Sequence, residues 1–167
     1  MKFIIRKKHQ NSKMCFVCGL KNNFGLKAAF YELENDELAA LFTPDERHQG
    51  YPGRLHGGIA SAILDETIGR AIMVYNDKIW GVTVDLSVSF RKPVPLNEEL
   101  TIISRITSEN KRFFKGTGEL VLQNGDIAVT ASGKYIKLPL DKIADFNEVE
   151  QEWKVIPAQN DPEEIII

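Results

Sequence analysis

The fold is decided by residues 55–66, which read LHGGIASAILDE. The paired glycines mark a turn, and over residues 58–76 the apolar side chains recur at the spacing of a helix face, with a second apolar row beside the first. This pattern predicts a long helix that is covered on most sides. Its remaining face is small and polar, because Ser61, Asp65 and Gly69 follow one another at intervals of four.

Asp65 places a carboxylate in a largely apolar helix, where such a group needs a partner or a function. At the start of this helix, the backbone N–H groups of Gly57 and Gly58 lack partners within the helix and lie at the positive end of its dipole. A carbonyl oxygen can approach them closely because glycines carry no side chain. A glycine pair alone would indicate a tight turn, but together with Asp65 it indicates an oxyanion site.

The composition describes one globular domain of ordinary size. The chain has 167 residues, of which 43% are hydrophobic, and a formal net charge of -2. This charge disfavours nucleic-acid binding, and no apolar run approaches the length of a membrane span. The first residues have too short an apolar centre for a signal peptide, so we expect a cytoplasmic protein with no nucleic-acid or membrane partner.

Cys15 and Cys18 are spaced like half of a zinc site or a redox pair. The chain has no second cysteine pair, its three histidines are scattered, and the segment after Cys18 is rich in turn residues. We therefore expect two reduced, buried thiols, with no metal ion and no cofactor.

The rest of the chain predicts an antiparallel sheet. Two strands precede the helix and four follow it, over residues 26–33, 38–42, 80–91, 100–107, 112–122 and 127–138. The connections between the later strands are too short for parallel crossovers. Within the third strand, alternation predicts that five side chains share the core face: Val82, Val84, Leu86, Val88 and Phe90.

The two ends of the chain differ in composition from the middle. Residues 1–14 form a basic extension, which we expect to be a solvated and partly disordered tail. Residues 15–140 form the predicted domain. Residues 141–167 are acidic, and we expect a short helix near residues 141–153 followed by a loose tail.

The order of these elements resembles the hotdog-fold acyl-CoA thioesterases, specifically those of the phenylacetate-degradation type. The likeness includes a His-Gly-Gly turn and the aspartate nine residues after the histidine. The segments CFVCG at 15–19, HQGYPG at 48–53 and FRKPVPL at 90–96 are also similar to segments of that group. The resemblance implies an α+β fold, in which a curved antiparallel sheet wraps one long helix, and hydrolysis of acyl-CoA to a free acid and CoA.

The resemblance also implies roles for individual residues. Asp65 is implied as the base that activates water or as the nucleophile that attacks the thioester. Gly57 or Gly58 would supply the oxyanion N–H group, His56 would brace the turn, and Thr83 would help to hold the hydrolytic water. Relatives with this pattern often carry an asparagine six residues before the histidine, where this chain has glycine.

Glu66 is a second carboxylate beside the aspartate. Arg70 follows it by four residues, in the order that favours an ion pair, so we assign Glu66 a structural role.

The phosphates of CoA need cations at the mouth of a cleft, and five basic residues are candidates: Arg91, Lys92, Lys111, Arg112 and Lys115. Solvated strand ends would show the same pattern. The resemblance further implies a homodimer, or a dimer of dimers, with sites in the seam and the strand over residues 83–90 paired with its twin. The alternative function is a hotdog protein that binds acyl-CoA without turnover.

Overall fold

The computed structural model describes residues 1–145 and 147–167. At its centre lies helix α1, Gly57–Arg70, which continues as a single tighter 3-10 turn over Ala71–Val74. The α-helix is therefore shorter than the sequence predicts. Among the helices of the described residues, none is long and apolar enough to cross a bilayer.

In the described part of the chain, eight strands form one sheet around α1. They are β1 Lys2–Lys8, β2 Ala29–Leu33, β3 Leu38–Phe42, β4 Ile79–Phe90, β5 Leu100–Glu109, β6 Phe113–Val121, β7 Ile127–Pro139 and β8 Glu164–Ile166. Their order is β4-β7-β6-β5-β3-β2-β1-β8, and every neighbouring pair is antiparallel. This confirms the predicted α+β hotdog fold, in which a curved antiparallel sheet packs on one central helix.

Two glycines in β6 let α1 pack closely against the middle of the sheet. A Cβ atom at Gly118 would lie 3.0 Å from Ile68 and 3.1 Å from Leu64, and one at Gly116 would lie 2.7 Å from Ile68. Glycine weakens a strand interior, but here it leaves room for two large apolar side chains of the helix. The side chains of Ile68 and Leu64 are fully buried as a result.

The alternation predicted along β4 is only partly right, because a β-bulge interrupts the register with β7 between Thr83 and Asp85. Phe90, which the alternation also predicts to face the core, is 58% exposed. The bulge shifts the phase of the strand, so that Leu86 and Val88 pack on the core whereas Val84 is half exposed. Thr83, which the alternation placed on the opposite face from the core residues, points at α1. Bulges commonly re-aim side chains in this way.

Both chain ends differ from the prediction. The basic N-terminal segment is not a disordered tail, because β1 pairs with β2 on one side and with β8 on the other. The helix expected near residues 141–153 is not formed in the part that the structure describes, where a 3-10 turn over Leu140–Lys142 stands instead; Phe146 lies outside the described residues. The domain boundaries at residues 14 and 140 stay a prediction.

The two end segments also contact each other beside the helix. Asn11 and Lys154 exchange backbone hydrogen bonds of 3.0 and 3.2 Å, and the Lys13 N–H donates to the Gln151 carbonyl at 2.8 Å. Trp153 packs on Trp80 at the start of β4, with ring centroids 4.7 Å apart. The acidic end is thus docked against the domain.

The N-terminal segment is anchored by a buried polar pair. The His9 Nε2 atom lies 2.7 Å from the Glu32 carboxylate, and both residues are at least 95% buried. Burial lowers the pKa of His9 below its usual value of 6.5, so the neutral ring donates to the carboxylate. Burial alone would raise the pKa of Glu32, but the hydrogen bond from His9 and nearby cations outweigh it and leave it lowered.

This pair predicts an acid-sensitive stability. Because the folded pKa of His9 lies below 6.5, its contribution is fully present above pH 6.5 and is lost as the pH falls towards the folded pKa, at up to about 1.4 kcal/mol per pH unit. Urea unfolding at pH 7.5 and 5.5 should show this loss in the wild type but not in His9→Gln, which keeps an amide donor and does not titrate. An equal loss in both proteins would contradict the assignment.

Candidate active site

Asp65 lies at the contact between α1 and the sheet edge, where two hydroxyl groups hold its carboxylate. Thr83 of β4 donates through Oγ1 to both carboxylate oxygens, at 2.9 and 3.1 Å. Tyr135 of β7 donates to Oδ1 at 3.0 Å. Both contacts exist because the bulge turns Thr83 inward and because residues 83 and 135 are register partners. The carboxylate is therefore oriented by two neutral donors while it stays half exposed.

Tyr135 had no counterpart in the sequence prediction. Burial raises the pKa of Tyr135 above its ordinary value, and the charge of Asp65 raises it further, so the hydroxyl remains a donor. The ring stacks on Phe114 and occupies space that glycines leave open. A Cβ atom would lie 2.6 Å from the ring at Gly133 and 3.1 Å from it at Gly69. In the sequence, these glycines indicate that another group packs closely against the backbone, but they do not show that this group is the ring of Tyr135.

At the start of α1, the N–H groups of the two predicted glycines differ in whether they have an acceptor. His56 is the N-cap residue, and its Nδ1 atom accepts the Gly58 N–H at 2.9 Å, as expected of a residue that braces the turn. The Gly57 N–H has no acceptor among the described residues. Of the two glycines, Gly57 is thus the one whose N–H group is free to bind an oxyanion.

The glycine that stands where relatives often carry asparagine lies against this cap. A Cβ atom at Gly50 would lie 3.1 Å from His56 Cα and 3.4 Å from its ring. A larger side chain would have to displace the histidine that caps α1.

Gly57 and Asp65 of one chain are too far apart to act on one carbonyl group. Eight residues of helix separate their Cα atoms by about 12 Å along the axis. Each end of α1 also contacts a different half of β4, because a Cβ atom at Gly57 would lie 3.3 Å from the Phe90 ring whereas Asp65 binds Thr83. The structure therefore does not bring the predicted oxyanion donor and carboxylate together within one chain.

A cavity of about 390 Å³ opens beside Asp65. Its lining includes Thr83 and two tryptophans that contact each other with tilted rings, Trp80 and Trp153. Trp153 and the neighbouring Gln151 belong to the acidic end segment, which the sequence predicted to be a helix and tail. That segment supplies part of the cavity wall.

Comparison with known proteins shows that part of the chain is similar to a known family. Residues 52–129 match the sequence profile of the family described as the thioesterase superfamily. The match spans α1, β4, β5, β6 and the start of β7.

Curated relatives extend the similarity towards the N-terminus. Acyl-coenzyme A thioesterase THEM4 from Rattus norvegicus is 28% identical over 140 residues, which cover 82% of this chain and 60% of the relative. Acyl-coenzyme A thioesterase 13 from Mus musculus is 29% identical over 96 residues, which cover 53% of this chain and 69% of the relative. This chain thus spans less than two thirds of the length of the THEM4 protein.

A solved structure shows the same fold. The phenylacetic acid degradation-related protein from Ralstonia eutropha matches with a TM-score of 0.60 at 20% identity, over 66% of this chain and 85% of its own. The predicted relationship to phenylacetate-type thioesterases is confirmed at the level of fold.

Beside Asp65, Glu66 makes the ion pair that the sequence predicted. Its Oε1 atom accepts from Arg70 at 2.7 Å. Its second oxygen, Oε2, accepts from the Cys15 thiol at 3.2 Å, a contact across 51 residues that the sequence did not suggest. Cys18 is buried and Cys15 is partly buried, and both are free cysteines, close to the expectation of two reduced, buried thiols.

The five candidate cations do not form one cluster. The backbone N–H groups of Arg91 and Lys92 donate to the Ala128 carbonyl at one end of β7. At the other end of β7, the backbone N–H group of Lys137 donates to the Arg112 carbonyl. Lys92 is also paired with Asp126 at 2.7 Å. The Lys111–Arg112 turn lies at the end of the sheet that holds Thr83.

Lys115 extends from the face of β6 that points away from α1, since the neighbouring Gly116 faces Ile68. It therefore lies across the sheet from Asp65.

The hydrogen bond from Tyr135 predicts a measurable loss of stability. Tyr135→Phe keeps the stacked ring but removes one donor to a carboxylate, which should cost about 1.5–3 kcal/mol in the free energy of unfolding. Tyr51→Phe is the matched control, because Tyr51 is 85% exposed, and it should change stability by less than about 0.5 kcal/mol. If urea titrations give the same free energy of unfolding for Tyr135→Phe and Tyr51→Phe, the hydrogen bond to Asp65 contributes nothing to stability.

Proposed function

We propose that the protein hydrolyses an acyl-CoA thioester to a free acid and CoA. The observation that carries this proposal is the carboxylate of Asp65, which two hydroxyl donors orient on the wall of a 390 Å³ cavity. The match of residues 52–129 to the thioesterase superfamily and the names of the curated relatives support the choice of a thioester bonded to CoA.

The reaction needs a base or nucleophile near the carbonyl carbon and a donor for the oxygen. In the base route, Asp65 takes a proton from water as the water oxygen attacks the carbonyl carbon. In the nucleophile route, the carboxylate attacks first and water then opens the anhydride. In both routes the carbonyl oxygen gains negative charge, which a Gly57 N–H stabilises, and the C–S bond breaks to release CoA as a thiolate that takes up a proton.

We further propose that the site is completed by a second copy of the chain. β4 is an edge strand of the sheet, twelve residues long and largely exposed, with Val84 51% and Phe90 58% exposed. Such an edge is a template for pairing, and a twofold axis allows β4 to pair with its own twin.

The register of that pairing would supply the missing oxyanion donor. An antiparallel pair centred between Leu86 and Ser87 places Thr83 of one copy opposite Phe90 of the other. Because Thr83 holds Asp65 and Phe90 contacts Gly57, the Asp65 carboxylate of one subunit then faces the Gly57 N–H of its twin. Each dimer has two such sites; a dimer of dimers would repeat them.

The phosphates of CoA need cations, and both candidate clusters would lie near the shared site: the Lys111–Arg112 turn at the Thr83 end of one subunit, and Arg91 and Lys92 after Phe90 of its twin. Lys92 is already paired with Asp126. The cytoplasmic location expected from the sequence stays a prediction.

Binding of acyl-CoA without turnover is the alternative function. The specific observation in its favour is the distance between Gly57 and Asp65 within one chain, which leaves a single copy without a complete site. A chain that stays monomeric could bind the ligand in the cavity without hydrolysing it.

The first test concerns Asp65. Asp65→Asn keeps the shape and can still accept from Thr83 and Tyr135, but it removes the base or nucleophile, so kcat for acyl-CoA hydrolysis should fall by about 100-fold or more. Asp77→Asn, an exposed carboxylate after α1, is the control and should keep the wild-type rate. Release of CoA is followed with a thiol reagent across short, long and aromatic acyl chains. Acyl-CoA binding without release by the wild type supports the alternative.

The second test concerns the shared site. Gly57→Pro removes the N–H donor but suits the first position of a helix, and the extended backbone of His56 suits a residue before proline. It should lower kcat by about 100-fold or more, whereas Gly57→Ala keeps the donor and adds the same contact with Phe90.

Mixed dimers then separate a shared site from a site within one chain. An isolated heterodimer of Asp65→Asn and Gly57→Pro subunits has one site with both changes and one with neither, so it should regain about half of the wild-type activity. If each site belongs to one chain, both sites carry a change and the heterodimer stays inactive. A strictly monomeric protein in light scattering at micromolar concentration would also refute the shared site.

A further inference from the structure

Three side chains that can bind a metal ion meet on the wall of the cavity beside Asp65. The ligand atoms of Cys15, Cys18 and Glu66 all lie within 4.8 Å of one another, and Cys15 Sγ is 3.2 Å from Glu66 Oε2. Ligand atoms around a tetrahedral zinc ion are about 3.3–3.8 Å apart. The three atoms therefore need little movement to share one ion.

The loop over residues 15–18 aims two backbone N–H groups at the sulfur of Cys15. The N–H groups of Val17 and Cys18 point at Cys15 Sγ, at 3.3 and 3.5 Å. The loop closes through a bond from the Gly19 N–H to the Cys15 carbonyl at 2.8 Å, and a Cβ atom at Gly19 would lie 2.3 Å from that oxygen. Ser12 Oγ lies 3.4 Å from Cys18 Sγ. N–H groups aimed at a sulfur favour its charged form, which is the form that binds metals. Without an ion, the hydrogen bond with the Cys18 thiol, burial and the charge of Glu66 together raise the pKa of Cys15, so the thiol loses its proton when the ion binds.

The charges around the cluster also match a divalent cation. Two thiolates and one carboxylate carry three negative charges, and the buried guanidinium of Arg70 supplies one positive charge through its bond to Glu66 Oε1. A divalent ion would make the group neutral. Arg70 also fixes the orientation of Glu66 and leaves Oε2 facing the cysteines, the arrangement in which an outer residue holds a metal ligand in place.

We propose that Cys15, Cys18 and Glu66 bind a zinc(II) ion. Sulfur ligands favour zinc over magnesium or calcium, and the open side of the cluster faces the cavity, where a water molecule can take the fourth position. This replaces the expectation of no metal, which rested on the absence of a second cysteine pair; the missing ligand comes from α1. The zinc proposal does not depend on the proposed hydrolysis.

The ion would act as a clip between the loop over residues 15–18 and helix α1, one residue from Asp65. Each thiol releases its proton to solvent on binding, so affinity for zinc should fall as the pH falls. An ion that binds only the folded chain should also raise the melting temperature.

Titration with cobalt(II) tests this proposal directly. The reduced protein is stripped with a chelator and titrated with Co²⁺, and we expect one equivalent per chain, with a thiolate-to-cobalt charge-transfer absorption that one equivalent of Zn²⁺ displaces. Because the chain has only two cysteines, this absorption reports Cys15 and Cys18. Cys15→Ser or Cys18→Ser should abolish it, and Glu66→Gln should weaken Zn²⁺ binding by more than about tenfold. Asp65→Asn, which lines the same cavity, should leave binding unchanged.

Several outcomes would overturn the zinc site. These are no stoichiometric binding by the reduced wild type, unchanged affinity in Glu66→Gln, or an equal loss in Asp65→Asn. If a cysteine-to-serine variant does not fold, the cobalt titration of the wild-type protein still tests the proposal. Zn²⁺ should protect both thiols from maleimide labelling, located by mass spectrometry, and labelling at the same rate with and without Zn²⁺ would refute the proposal.

Discussion

The placement of one carboxylate between helix and sheet is the constraint on which the rest of the structure depends. Asp65 cannot lie in that contact without donors, and Thr83 and Tyr135 supply them. Thr83 faces inward only because β4 bulges, and Tyr135 fits only because Gly69 and Gly133 leave room for its ring. The bulge in β4 and Gly133 in β7 would each weaken a strand on their own, but here both allow the hydrogen bonds to the Asp65 carboxylate.

The orientation of α1 against β4 separates the two groups of the proposed site within one chain. The helix starts near the end of β4, at Phe90, and reaches Asp65 near the beginning of the same strand. The free N–H group of Gly57 and the carboxylate therefore lie at opposite ends of an edge strand. A twofold axis across that edge would exchange the two ends, so antiparallel pairing of two copies would bring the Gly57 N–H group of one chain to the Asp65 carboxylate of the other.

Much of the fold is readable from the sequence because it rests on local periodicity. Helical spacing predicts α1, and alternation with short turns predicts the strands from β2 to β7. The bulge at Thr83 leaves no local signal, so a run of alternating residues reads as regular when it is not. β1 and β8 form because the two ends of the chain pair with each other, and no local pattern in the sequence indicates that pairing.

In the candidate site too, the residues that lie close in sequence are predictable and those that meet only in the fold are not. Asp65, the glycine pair and His56 stand in one stretch, so their relation is written in the spacing. Tyr135 enters through strand register, and the contact of Cys15 with Glu66 bridges 51 residues, so neither follows from a local pattern.

Arg70 shows how the end segments become part of the site. Its guanidinium donates to Glu66 and to the Gln10 carbonyl, and it stacks 4.1 Å from the Phe30 ring centroid and 5.1 Å from that of Trp153. One buried cation thus touches α1, the N-terminal segment, β2 and the acidic end segment. Because Arg70 is buried, leaving its charge without partners would be costly, which couples the docking of both ends to the helix that carries Asp65. The cavity wall over Asp65 therefore depends on the same ion pair that orients Glu66 towards the cysteines.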